Sequence, residues 1–556
     1  MTHGNADVRP PSLLDASCEA FVHDLAVLSP TEATAWGIEG HAGELQDFSP
    51  AYWEAVADRN REMLADVDAL DDGTDDCDDE DDFDEVDIVT AAVLRDRVCL
   101  DLSLHHNDEF LGQLNNIASP IQTIRDTFLL MPQDTEEQRE AIASRLSQVG
   151  KALAGYRESL TLAASHGKVS AIRQIEAAIG QCRELTQPGS MLDKLGVDPH
   201  SDAVVSAKKS FGSMAEWLGD QLAPHAPHHD AVGRERYERF SHLFVGDVVD
   251  LDDAYEWGLD RLQEIVAEQQ NIAEKLYGSG TSVAAAMKKL DTESRYTITG
   301  TDALREWMQE QADKTIADLN GVHFDIPQPV QSLEACIDPA GTGGIFYTPP
   351  SDDFSRPGRM WWSVPAGQNT FHTWQELTTV FHESVPGHHL QCGQAVCERE
   401  NLNLWRRIAC WNSGHGEGWA LYAEQLMADL GYHDDLGTRM GMLDAQRLRA
   451  ARVVLDIGVH LGKRTPEGSS VWDASYAKFF LRENSAMDER NLAFELDRYL
   501  GWPGQAPSYA LGQRLWQQLR DRALDQGQTL KQFHTRALSY GSIPMSILGT
   551  QVLKAS

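Results

Sequence analysis

One stretch, Thr373 to Gln391, restricts this chain more than any other: T-W-Q-E-L-T-T-V-F-H-E-S-V-P-G-H-H-L-Q. Thr373 followed by Glu376 predicts a capping-box helix start. Trp374, Leu377 and Phe381 recur at three- and four-residue spacing, so the helix turns one face to a core. His382, Glu383, His388 and His389 follow on the same stretch. A buried helix tolerates such a cluster only when its members are paired or coordinate an ion.

The nearest chemical template is H-E-x-x-H, in which histidines four apart bind zinc and the glutamate is the general base. Here Pro386 stands where the second histidine belongs. On a straight helix His388 lies about 9 Å along the axis from His382, and His389 about 10.5 Å. Neither could share one ion with His382, because zinc ligands stand about 2.1 Å from the metal. Pro386 resolves the conflict. Its ring collides with the carbonyl four residues back, and with Gly387 it forces a bulge or bend. A distortion that absorbs two residues brings His388 to the second ligand position, with His389 as the alternative.

A third protein ligand is expected at a catalytic zinc. The best source is N-S-G-H-G-E-G-W-A-L-Y-A-E-Q-L, residues 412–426. Glu417 and Glu424 are seven apart on a helical pattern, hence on one face beside Trp419, Leu421 and Leu426. Glu417, next to glycines that another helix can approach closely, is the candidate ligand. Glu424 is the candidate partner that orients a histidine.

These two motifs, H-E-S-V-P-G-H-H-L-Q and G-E-G-W-A-L-Y-A-E, resemble the bacterial domain-of-unknown-function 885 family over nearly the whole chain. That family is similar to helical zinc peptidases of the thimet-oligopeptidase and angiotensin-converting-enzyme type. The resemblance implies a mainly α fold with a deep cleft and a small β hairpin or sheet next to the metal helix. It implies one Zn2+ per chain on His382, His388 and Glu417, with Glu383 as base. Asp456 and His460 match the family pattern. So does E-L-D-R-Y-L-G-W-P-G-Q-A-P-S-Y-A-L-G at 495–512, where Tyr509 or Arg498, with Tyr499 as substitute, could donate to an oxyanion. The chain then divides into a disordered N-terminus (1–11), a helical subdomain (12–330) and a catalytic metal-binding subdomain (331–556).

The remaining segments fit around this centre. Ser29-Pro30 and Ser49-Pro50 break helical spacing in 12–70, and the acidic tract 71–87 reads as a solvated loop without EF-hand spacing. Thr135 and Gln138 predict the cap of a long helix with Ile142, Leu146, Val149, Leu153, Tyr156 and Leu160 on its inner face. His225, His228 and His229 lie in a proline-broken stretch that reads as surface loop. Between 335 and 370, Gly, Pro and aromatic residues predict a hairpin or edge pair able to hold an extended peptide. Arg449, Arg452, Asp456 and His460 form a polar stripe that reads as an Arg–Asp–His network lining a channel.

Composition removes several function classes. Lys+Arg 47 against Asp+Glu 86 gives a net charge of −39, which disfavours nucleic acid and anionic membrane as partners. No apolar run reaches about 18 residues, so no membrane span is expected. The eight cysteines lack C-x-x-C pairs and read as reduced core thiols, with Cys392 and Cys397 near the metal stretch. With a start that does not resemble a signal peptide, the expectation is a cytoplasmic protein. The function expected is a zinc metallopeptidase acting on peptide or small amide substrates. Two histidines and a carboxylate also describe non-haem iron oxygenases, and a metal-free peptide binder is the third class. Nothing in the sequence signals an oligomeric state.

Overall fold

Thr135 accepts a hydrogen bond from the Gln138 amide, and the Gln138 side chain accepts one from the Thr135 amide. This reciprocal cap opens the helix Glu136–Ser165, whose Ile142, Leu146, Val149, Leu153, Tyr156 and Leu160 are all buried. The same local rules build most of the molecule. The computed structural model describes residues 9–71, 83–338, 344–365 and 367–554, and within them the fold is mainly α with a few short strands. Pro30 and Pro50 start helices Pro30–Trp36 and Pro50–Asp71, as proline at a first helical turn allows. No helix among the described residues is long and apolar enough to cross a membrane.

Three hydrophobic clusters hold the helices together. One joins Leu45–Leu222, a second Tyr237–Leu511. The third joins Leu14–Val98 to Leu304–Val552, so side chains from both ends of the chain share one interior.

Most of the acidic tract lies outside the described residues, but its last part departs from the loop expectation. Asp84 caps the helix Glu85–His106 by accepting from Val86 and Asp87 amides, and Asp87 is buried. Arg9 pairs with Asp15, Asp84 and Asp87, which pins the end of the segment expected to be disordered. Local charge pairing there outweighs the solvation that a run of like charges favours.

The Gly- and Pro-rich region forms a three-stranded sheet rather than a lone hairpin. Strand β3 (Gly358–Ser363) is central, β1 (Leu333–Asp338) pairs with it in parallel, and β2 (Ile345–Thr348) in antiparallel. Within this sheet β2 is an edge strand.

Five helices then frame the site: α1 (Thr373–Glu383), α2 (His388–Cys397), α3 (Ser413–Asp429), α4 (Leu436–His460) and α5 (Ser508–Asp525). Helix α1 begins at Thr373 as expected, but without the capping box. The Thr373 hydroxyl donates to the Tyr296 carbonyl, and Glu376 accepts from the Trp362 indole at 2.9 Å. Tertiary partners have taken both side chains.

Candidate metal centre

Helix α1 stops at Glu383, the chain turns through residues 384–387, and α2 restarts at His388. Pro386 cannot continue an α-helix, since it lacks the amide and its ring strikes the preceding turn. The Val385–Pro386 bond is cis. Gly387 comes so close to α1 that a Cβ there would lie 1.9 Å from the His382 carbonyl oxygen. Trp419 of α3 secures the turn by donating its indole N–H to the Pro386 carbonyl at 2.8 Å. The result is that His388 returns to the side of His382, with ring centroids 4.8 Å apart and planes at 89°.

Glu417 arrives from α3. A Cβ on the adjacent Gly418 would lie 2.5 Å from the Gly512 carbonyl carbon in α5, and one on Gly512 2.2 Å from the Gly414 carbonyl oxygen. Glycines at these three positions let two helix backbones touch, which sets Glu417 against the histidines. Its Oε2 is 3.4 Å from His382 Nε2 and 3.6 Å from His388 Nε2. The three ligand atoms all lie within 4.8 Å of one another. Ligands about 2.05 Å from a tetrahedral zinc stand roughly 3.3 Å apart, so the two carboxylate–imidazole distances match what such an ion would need, and the three groups could hold one.

Glu424, two turns further along α3, fixes the first histidine. It accepts from His382 Nδ1 at 2.8 Å and from the Thr378 hydroxyl at 2.5 Å, so His382 keeps Nε2 free to face Glu417. Burial works against charge on His382, but the hydrogen bonds it donates to Glu417 and Glu424 outweigh it and push the imidazole up to about 10. Burial likewise opposes ionisation of Glu417, yet His382 and His388 hold it well below the usual carboxylate range. Both shifts share one cause, the close approach of the Glu417 carboxylate to the two imidazoles. Glu424→Gln is expected to weaken zinc binding about 10- to 100-fold, because the neutral amide no longer orients or polarises His382. Competition with a chromophoric chelator measures this, and an unchanged affinity would show that Glu424 does not position the histidine.

Glu383 is buried beside this group, 5% exposed, and faces the same pocket. Burial raises its carboxyl above the ordinary value, opposed by His382 and His388. The pocket, about 520 Å3, is walled by β2 residues Ile345–Tyr347, by Trp411, and by Arg449, Arg452 and Tyr509. A larger cavity of about 1010 Å3 with His225 and His229 at its wall opens elsewhere, and the facing ligand atoms are not part of it.

Other candidates are placed differently. His389 points away from His388: its Nδ1 accepts from the Tyr347 hydroxyl at 2.8 Å and its Nε2 donates to the Val330 carbonyl at 2.8 Å. Both nitrogens are used, so it is no alternative ligand. Gly358 makes room for the pair, since a Cβ there would lie 2.1 Å from the Tyr347 oxygen. Tyr347 is a pocket residue that sequence reasoning missed, and only a tyrosine in an edge strand before the histidine helix hinted at it. Cys392 also lines the pocket, but burial, then Glu383 and Glu417, push its thiol up to about 12, which keeps it protonated.

The polar stripe of α4 is split along its length. Arg449 and Arg452 reach the pocket, whereas Asp456 and His460 lie about 10 and 16 Å further along the axis than Arg449. Asp456 accepts from the Tyr237 hydroxyl and the Gly504 amide, and His460 Nε2 bonds to the Tyr499 carbonyl. They hold helices together and do not line the channel expected of them. Arg498 is engaged by Glu495 and Gln505 and stands beside Tyr509, but does not itself line the pocket. Tyr499 is fully buried, bonded to Arg452 and Glu495. Of the three donor candidates Tyr509 is the one in the pocket wall, with the Arg452 guanidinium 5.4 Å from its ring centre.

The fold is shared with solved proteins. A chain from Colwellia psychrerythraea described as a putative lipoprotein superposes with a TM-score of 0.80 at 22% identity, covering 98% of this chain and 99% of that one. A putative lipoprotein of unknown function from Shewanella oneidensis gives 0.73 at 17%, covering 98% and 100%. These descriptions overturn the cytoplasmic placement expected from the sequence, because a fold carried by lipoproteins is not one confined to the cytoplasm. Reduced thiols and the character of the N-terminus were too weak to fix a compartment. No curated protein matches the chain. Residues 30–552, nearly the entire length, match the DUF885 family, and the chain belongs to this family of bacterial proteins of unknown function.

Proposed function

We propose that this protein is a zinc-dependent hydrolase of peptide or small amide bonds, with one ion per chain on His382, His388 and Glu417. The convergence of those three ligand atoms beside the buried Glu383, in a pocket of small-ligand size, is the observation that carries this reading. The resemblance of H-E-S-V-P-G-H-H to an expanded H-E-x-x-H points the same way, towards the helical zinc peptidases. When bound, such an ion acidifies water and polarises a carbonyl.

The chain's own residues supply the rest. Glu383 is placed to take a proton from the attacking water and to return it to the leaving nitrogen. Its burial raises the carboxyl above the ordinary carboxylate value, the direction that suits a group that both accepts and returns a proton. Tyr509, in the same wall, is placed to donate to the developing oxyanion. The outer edge of β2 offers backbone groups to an extended substrate, and Trp411 and Phe346 give it apolar surface at the pocket.

The test is cleavage of a mixed peptide library, followed by mass spectrometry, with metal analysis of the same protein. Cleavage that a chelator abolishes and zinc restores is expected. No cleavage, or cleavage indifferent to the chelator, overturns the proposal, and iron in place of zinc redirects it to oxygen chemistry.

A further inference from the structure

Near the site, Arg452 donates to Tyr499 and Glu495, and Arg498 to Glu495 and Gln505. Arg145, buried without a carboxylate partner, donates to the carbonyls of Glu44, Pro30 and His41 and to the Thr34 hydroxyl. Arg449 differs from these three. Its guanidinium makes one weak bond, 3.2 Å to the Ala445 carbonyl of its own helix, and its buried Nε has no partner. Among the described residues no carboxylate lies within ion-pair distance of it. Two carboxylates feel its charge through space without pairing with it: Glu424, already committed to His382 and Thr378, and Asp444, five residues back on the same helix. Yet Arg449 stands in the pocket wall with His382, Glu383 and Glu417.

An unanswered guanidinium facing a ligand pocket selects for a planar anion. Its fork geometry matches a carboxylate with two parallel hydrogen bonds. We infer that Arg449 anchors a carboxylate of the substrate, so that the preferred substrates are amides bearing a free carboxylate close to the bond that is cut. This rests on the hydrolase reading above and narrows it. The carboxylate comes from either a peptide C-terminus or an acidic side chain.

Three sets of short peptides separate these sources: free C-terminal acids without acidic side chains, their C-terminal amides, and C-terminal amides carrying one Glu. With zinc-loaded protein, at least one carboxylate-bearing set is expected to exceed the carboxylate-free amides about 10- to 100-fold in kcat/KM, mostly through KM. In R449Q that ratio should fall to within about twofold, and R449K should restore part of it. Because the ratio is taken within one variant, general damage to folding or metal loading cancels. Equal rates for all sets in the parent protein, or a preference that survives R449Q, overturns the inference. If no set is cleaved, the hydrolase reading has failed, and binding of the same peptides, read by fluorescence of the half-exposed Trp411, decides the anchor alone. A preference for acids that R449Q removes supports it; equal binding, or none, overturns it.

Discussion

Glu383→Gln leaves the metal in place and removes turnover, lowering kcat by about 100- to 10,000-fold. The expectation follows from where Glu383 sits. Its carboxylate is not one of the three converging ligand atoms, so the ion does not depend on it. It is buried against His382 and His388, so the isosteric amide keeps the packing and loses only the capacity to accept a proton. Stability supplies an independent reading. Burial already disfavours the charged form, and an uncharged replacement is expected to hold or raise Tm. Metal content by elemental analysis and single-turnover hydrolysis measure the two halves separately. Hydrolysis retained by the metal-loaded variant would remove Glu383 as the base.

Gly387→Ala is expected to cost about 3 kcal/mol or more and to abolish tight metal binding together. The added methyl would lie 1.9 Å from the His382 carbonyl oxygen and 2.4 Å from that of Phe381. Both obstacles are backbone, so no side chain can swing aside. Relief requires the last turn of α1 to move, and that turn carries His382. Gly549→Ala is the matched control, because a Cβ there meets nothing within 4 Å in its helix Met545–Val552. Thermal unfolding with and without zinc compares them. A Gly387→Ala protein with the parent Tm and the parent zinc-induced rise would show that the turn adapts freely.

What could be read before folding, and what could not, divides by the range of the interaction. The cap at Thr135 and the inner face of its helix involve neighbours a few residues apart, and spacing alone exposes them. The convergence of His382 and His388 was legible for a similar reason, since a proline–glycine step has few ways to bend a chain. His389 shows where such reasoning stops. Nothing local distinguishes it from His388; Val330 and Tyr347, far off in the chain, decide its direction. The Arg449–His460 stripe failed on distance rather than type. Its period marks one face of a helix, but says nothing about which stretch of that face borders the pocket. Likewise, the parallel partner β1 of the sheet comes from a segment whose pairing no turn residue announces.

The contact between Gly418 and Gly512 reaches beyond the placing of one ligand. Where two backbones touch without side chains between them, parting would leave a void, so the two helices are expected to move as one rigid body. Glu417 and Tyr509 ride on that body within a turn of the contact, and their separation should stay constant through any breathing of the molecule. Widening the pocket to admit or release a ligand then falls to the opposite kind of wall: the edge strand carrying Ile345 to Tyr347, which is paired on one side only.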